Sequence, residues 1–139
     1  MYDIKLIDTA VIDDIIPLLQ GLNPQISKTI LKKRLAQMVL QGYQCVGVYD
    51  AQKLIGISGL WVLTKYYVGK HIEPDNVYII PEYQGRGVGK LMMNWIFEYA
   101  KSINCEASEL NCYVDNEAGR RFWEQHGYTA IGYHFQKKF

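Results

Sequence analysis

Between Val77 and Met92 the chain reads VYIIPEYQGRGVGKLM, and few other stretches restrict the fold as much. Val77 to Ile80 are strand-forming residues, and Pro81 closes the run because it has no N–H to offer a sheet ladder. Beyond the glycines, Leu91, Met92, Trp95, Ile96, Tyr99 and Ala100 recur at the spacing of one helix face, which predicts a helix from about Gly87 to Ser102. A strand that hands over to a helix across a short turn belongs to layered α/β architectures. The turn itself carries chemistry. Gly85, Gly87 and Gly89 let backbone N–H groups crowd toward one point without side chains in the way. They precede a helix, whose first N–H groups are unpaired and whose dipole is positive at that end. Such a place suits a phosphate or pyrophosphate, and Arg86 and Lys90 add charge. An ordinary tight turn before a helix is the competing reading.

Two phosphate motifs are excluded by counting. A Walker A loop requires Gly-Lys-Ser/Thr, whereas Leu91 follows Gly89-Lys90 here; a dinucleotide fingerprint requires G-x-G-x-x-G, whereas these glycines run G-x-G-x-G.

The rest of the chain continues the alternation. Asp3 to Ile7 reads as a strand, Asp8 or Thr9 as the cap of a helix to about Leu19, and Ser27 as the cap of a second helix. That helix places Ile30, Leu31, Leu35, Met38 and Val39 on one face and ends at Gly42. YQCVGVYD and KLIGISGLWVL flank a turn at Ala51-Gln52 and read as a hairpin. TKYYVGKH reads as a loop, Glu73 to Ile80 as a fourth strand and ASELNCYV as a fifth. Asp115 or Asn116 caps a helix to about His126, Gly127 stops it, and YTAIGYHFQKKF reads as one or two more strands. One domain spanning residues 1–139 is expected, with no repeat or linker.

Composition removes several classes of function. Net charge is +1, and the one basic run, KTILKKR, alternates with apolar residues as a solvated helix face does, so no nucleic-acid partner is implied. No run is long enough to span a membrane, and MYDIKLIDTA lacks the features of an export signal. The three cysteines show neither C-x-x-C spacing nor a nearby His pair, so no disulfide framework or metal site is expected, and a cytoplasmic location is the default.

Gln84-Gly85-Arg86-Gly87-Val88-Gly89, placed after VYIIPEY, resembles the Q/R-x-x-G-x-G/A signature of the GNAT superfamily of acyl-CoA-dependent N-acetyltransferases. Asn116 to Tyr128, NEAGRRFWEQHGY, resembles the N-x-x-A-x-x-F-Y-x-x-x-G-F/Y helix that closes the same family. The tail is similar to that of small bacterial members that acetylate small primary amines, including aminoalkylphosphonates. The resemblance implies an α/β fold with a mixed, mostly antiparallel sheet of six to seven strands and about four helices. It implies acetyl-CoA as co-substrate, with the loop amides of Gly85 to Gly89 and the charges of Arg86 and Lys90 at its pyrophosphate. Val77, Tyr78, Ile79 and Ile80 would run along its pantetheine arm, Asn116 would contact it, and the N–H of Ile79 would face the thioester carbonyl. A small-molecule amine is the implied acceptor, attacking directly through a tetrahedral intermediate, and a homodimer is a family-level expectation.

Acetyl transfer to an amine poses two proton problems, because an ammonium must lose a proton before it attacks and the leaving thiolate is a base that can take one. For the base, strand alternation groups Glu73, Asp75, Val77 and Ile79 on one side. Glu73 stands eleven positions before Gln84, similar to the glutamate base of histone-type members; Asp75 comes second and His71 third. All three are equally open to being ordinary acids or bases at the start of a strand. The acid departs from the family pattern. Its tyrosine falls on Trp123, whose indole donates a hydrogen bond but not a proton at these pH values, leaving Tyr113 and Tyr128 as candidates. That substitution keeps open an acyl-CoA-binding module without fast turnover, and, since nothing in the chain excludes a peptide acceptor, a transferase acting on a protein or peptide amine is a further alternative. Asn23, Gln25, Trp61, Tyr66, Tyr67 and His71 are the candidate acceptor lining.

Overall fold

Alternation along the second strand shows how the molecule is layered. Cys45 and Val46 are adjacent and both fully buried, yet they belong to different cores. Successive side chains of a strand point to opposite faces, so both faces of this sheet are covered. The computed structural model describes residues 1–139. Its strands are β1 (Tyr2–Leu6), β2 (Gln44–Asp50), β3 (Lys53–Lys65), β4 (Gly69–Ile79) and β5 (Ala107–Ser108), adjacent in that order. All pairs are antiparallel except β4 with β5. The helices are α1 (Ile16–Leu22), α2 (Lys28–Leu40), α3 (Val88–Ser102) and α4 (Glu117–Gln125). One core gathers Ile15, Leu19, Leu35, Tyr43 and Ile57 beneath α1 and α2; the other gathers Val46, Leu60, Ile72, Met92 and Ile96 beneath α3.

Local signals account for most boundaries. Ser27 Oγ accepts from the N–H of Ile30 at 3.2 Å and starts α2. Asp50 pairs with Lys53 across Ala51-Gln52, as expected for the hairpin. The first helix is split. Thr9–Ile15 is a 3-10 segment kinked at Val11, and α1 begins only at Ile16, with Pro17 in its first turn. Proline has no N–H to continue the preceding turn, so the chain restarts there.

Several expectations need correction. The sheet has five strands rather than six or seven. Of ASELNCYV only Ala107 and Ser108 are paired, and residues 129–139 form no regular structure, with Ile131, Tyr133 and Phe135 exposed. Their alternation is strand-like, but a strand forms only where another supplies its hydrogen bonds. TKYYVGKH is not a loop, because β3 runs on to Lys65 and β4 starts at Gly69, leaving only Tyr66 to Val68 in the turn.

A further correction bears on the site. β4 pairs Asp75 with Gly59 and Tyr78 with Ile57, so it carries one extra residue there, a β-bulge. Asn76, inside the bulge, has φ +41°. The bulge shifts side-chain parity. Glu73 and Asp75 therefore do not share a side with Val77 and Ile79, which pack in the α3 core together with Ile72. Tyr78 turns the other way, against α1, where a Cβ on Gly21 would lie 2.6 Å from its hydroxyl.

The buried stripe of α3 is Val88, Met92, Met93, Ile96 and Ala100, while Leu91 is 43% exposed. We expect Ile96→Ala to cost about 2–5 kcal/mol in denaturant unfolding and Leu91→Ala less than about 1 kcal/mol.

Candidate functional site

The segment between β4 and α3 is held from both ends. Pro81 to Tyr83 make a single 3-10 turn, and the side chain of Gln84 donates from Nε2 to the carbonyl of Ile79 at 2.8 Å. Gly85 and Gly87 follow with φ +74° and +78°, left-handed values that L side chains rarely adopt. The first helical hydrogen bond of α3 runs from Leu91 N–H to Gly87 O. The N–H groups of Gly85, Arg86, Gly87, Val88, Gly89 and Lys90 have no acceptor within the protein. Six consecutive free donors at a helix start form an anion-binding surface.

A cavity of about 440 Å³ opens onto that surface, bounded by Ile79, Tyr83, Gly85, Lys90, Phe122 and His126. Arg86 lies over the ring of Tyr83, 5.2 Å from its centroid, and Tyr83 in turn donates to Asp50 at 2.5 Å. Burial and the Lys90 charge push the pKa of His126 down, which favours its neutral form. Gly89 has a different use from its neighbours. A Cβ there would lie 3.1 Å from the Phe122 ring, so the glycine lets α4 close against α3. Val88 is buried and offers only its backbone.

Beside the loop, β4 presents an open edge. Ile80 N–H bonds Ile55 O on β3, so alternation turns the N–H and C=O of Ile79 the other way. Its C=O is the one that takes Gln84. No strand covers that edge, because β5 leaves β4 after Ser108, with Glu109 N–H to Ile72 O at 3.0 Å as the last bond.

Of the two candidate tyrosines, only Tyr128 is brought in. Its hydroxyl is 2.6 Å from Ser108 Oγ on β5, and burial raises its pKa against a smaller opposing effect of that bond. Tyr113 is 81% exposed and has no side-chain partner. Trp123 packs edge-on against Phe122 and Tyr128, 4.9 and 5.6 Å between centroids. Asn116 caps α4, its Oδ1 accepting from Gly119 N–H at 2.9 Å.

The acids lie on the opposite face of the sheet from α3. Glu73 Oε2 is 2.7 Å from His71 Nε2 and 3.6 Å from Lys65 Nζ. Asp75 is exposed; its Oδ2 accepts from Trp61 Nε1 at 3.1 Å and its Oδ1 from Asn76 N–H at 2.8 Å. Asn76 Oδ1 accepts from Tyr43, while its Nδ2 is buried without a partner. Sequence reasoning missed Ser108, Glu109 and His126. The register of a parallel pair sets the first two, and nothing in ASELNC reveals it. His126 was readable only as the end of a helix, yet α4 aims it at the cavity.

A family model described as the acetyltransferase (GNAT) family matches residues 13–128. No curated protein matches the chain. Among solved structures, ribosomal-protein-alanine N-acetyltransferase from Brucella melitensis biovar Abortus 2308 is 20% identical with a TM-score of 0.84, covering 100% of this chain and 99% of that one. Glucosamine-6-phosphate N-acetyltransferase from Arabidopsis thaliana is 19% identical with a TM-score of 0.74, covering 100% and 99%. An aminoglycoside N-acetyltransferase in complex with CoA is 12% identical with a TM-score of 0.85, covering 100% and 95%. At these identities the likeness is one of fold.

The cap of α4 is tightly built, since a Cβ on Gly119 would lie 2.4 Å from Asn116 Nδ2. Asn116→Ala should cost about 1 kcal/mol in thermal or denaturant unfolding, and Gly119→Ala should destabilise by displacing the same cap.

Proposed function

The chain belongs to the GNAT acetyltransferase family and is an acetyl-CoA-dependent N-acetyltransferase; we propose that its acceptor is the primary amine of a small molecule. The observation that carries the cofactor side is the run of six unpartnered N–H groups from Gly85 to Lys90, open to a cavity. It fits a pyrophosphate, with Arg86 and Lys90 supplying charge and His126 forming the opposite wall. The open edge of β4, Val77 to Ile80, suits the amide groups of a pantetheine arm. Asn116 spends its Oδ1 on the helix cap, which leaves its Nδ2 for a cofactor contact. When bound, acetyl-CoA supplies the thioester whose acetyl group is transferred.

This chain's own residues then have distinct tasks. The N–H of Ile79, on the uncovered edge, is the donor for a carbonyl oxygen that gains charge. Asp75 is assigned the base. Glu73 turns its carboxylate to His71 and Lys65, whereas Asp75 is exposed at the bulge beside the Trp61 indole. An exposed carboxylate held by the indole N–H suits an ammonium and can take a proton from it. Tyr128 is assigned the acid, and its raised pKa keeps the phenol protonated at neutral pH. Trp123 shapes the wall beside Tyr128 and holds no proton to give.

Trp123 also motivates a second reading, a domain that binds acyl-CoA and turns over slowly. Thiol release that depends on an added amine separates the two, and a large gain in Trp123→Tyr would favour the second. If Asp75 is the base, Asp75→Asn should lower kcat about 10²-fold or more, and more than Glu73→Gln does. Lys90→Glu should weaken acetyl-CoA binding at least about tenfold by calorimetry. An acid with a raised pKa is lost only as pH climbs through that value. The alkaline limb of kcat should therefore lie above about 10, the usual tyrosine range, and Tyr128→Phe should remove it.

A further inference from the structure

On the face of the sheet away from α3, the imidazole of His71 is fully buried, and both of its nitrogens meet only acceptors. Nδ1 lies 3.1 Å from the carbonyl of Gly69, which can only accept, so Nδ1 carries the hydrogen. In the neutral ring Nε2 is then a lone pair. It is aimed at two carboxylate oxygens, Glu73 Oε2 at 2.7 Å and Glu109 Oε1 at 3.9 Å. Three lone-pair donors converge within 4.8 Å of one another, and no protein N–H or O–H donates to Nε2.

We propose that His71, Glu73 and Glu109 form a binding site for a divalent first-row transition-metal cation of the Zn²⁺ or Mn²⁺ type. An ion about 2.0–2.2 Å from each of its tetrahedral ligands spaces them about 3.4 Å apart, so Glu73 must draw back from His71 and Glu109 move in, shifts of about half an ångström or more that partly exposed carboxylates can make. The surroundings match what such a site needs. A metal-ligating imidazole donates its other N–H to a carbonyl or carboxylate, as His71 does to Gly69. A ligating carboxylate is itself hydrogen-bonded, and Tyr67 donates to Glu109 Oε1 at 2.7 Å. Lys65, 3.6 Å from Glu73, occupies part of this charge now, but its side chain is 45% exposed and free to turn away.

Rigid strands set the constellation. His71 and Glu73 are two apart on β4, and the bond from Glu109 N–H to Ile72 O fixes the third ligand across the parallel pair. One imidazole with two carboxylates suits borderline cations better than all-oxygen Mg²⁺ or soft Cu⁺. Three protein ligands leave positions for water or a substrate atom on the side where Glu73 and Glu109 reach solvent. The expectation of no metal rested on cysteine and histidine spacing, which cannot register a ligand set assembled across strands. The site shares a face of β4 with Asp75 but does not use its carboxylate, and it does not depend on the acetyl-transfer reading.

The test is calorimetric titration of the chelator-treated full chain with ZnCl₂ and with MnCl₂, alongside thermal unfolding. One equivalent should bind and raise the unfolding temperature. Glu109→Gln, on a partly exposed side chain, should weaken binding at least about tenfold, while Glu98→Gln on the surface of α3 should leave it unchanged. His71→Ala opens a buried position and can unfold the chain outright, so Glu109→Gln is the deciding variant. No binding of either cation at about 1 mM, or binding that Glu109→Gln leaves intact, would overturn the proposal and leave the cluster holding a proton alone.

Discussion

The parting of β4 from β5 after Ile72 is the constraint on which the rest of the structure depends. A parallel pair only two residues long leaves most of one β4 edge without a neighbour. Uncovered strand edges carry polar groups that seek partners, and folded proteins usually block them. Here the edge leads from Val77 to Ile79 straight into the loop of Gly85 to Lys90, whose N–H groups are also free. Strand edge and helix start together form one line of unused donors. That line accounts for a glycine-rich turn, for the brace from Gln84 to Ile79, and for the close approach of α4 at Gly89.

The β-bulge at Asn76 gives the two faces of the sheet different chemistry. Before it, His71, Glu73 and Asp75 face away from α3; after it, Val77 and Ile79 face α3. A regular strand would have put acids and cofactor-side residues on one face. The extra residue instead keeps a charged, aromatic surface on one side and an apolar wall on the other, about the same short length of backbone. Tyr43 and Trp61 pack edge-on beneath the bulge, and Tyr43 bonds the Asn76 side chain, so a left-handed residue is held from below.

Much of this was legible in local patterns. The loop, the Ser27 and Asn116 caps, the hairpin and α3 follow from turn chemistry and helical spacing, which depend on near neighbours. What failed depends on distant ones. The bulge overturned the grouping of Glu73 with Ile79, because strand parity is set jointly with β3. Ser108 and Glu109 join the site only through parallel register. The tail from Thr129 onward alternates like a strand, but nothing pairs with it. Tyr113 and Tyr128 were indistinguishable as candidates until packing exposed one and half-buried the other.

The central claim is that backbone amides from Gly85 to Lys90 receive the pyrophosphate of acetyl-CoA. Amide-resolved NMR of the ¹⁵N-labelled chain, titrated with acetyl-CoA, reads those groups directly. The account predicts that the largest shifts fall on the amides of Gly85, Gly87, Gly89 and Lys90, with Ile79 moving in step. Saturable binding that leaves those amides in place while others move would contradict it.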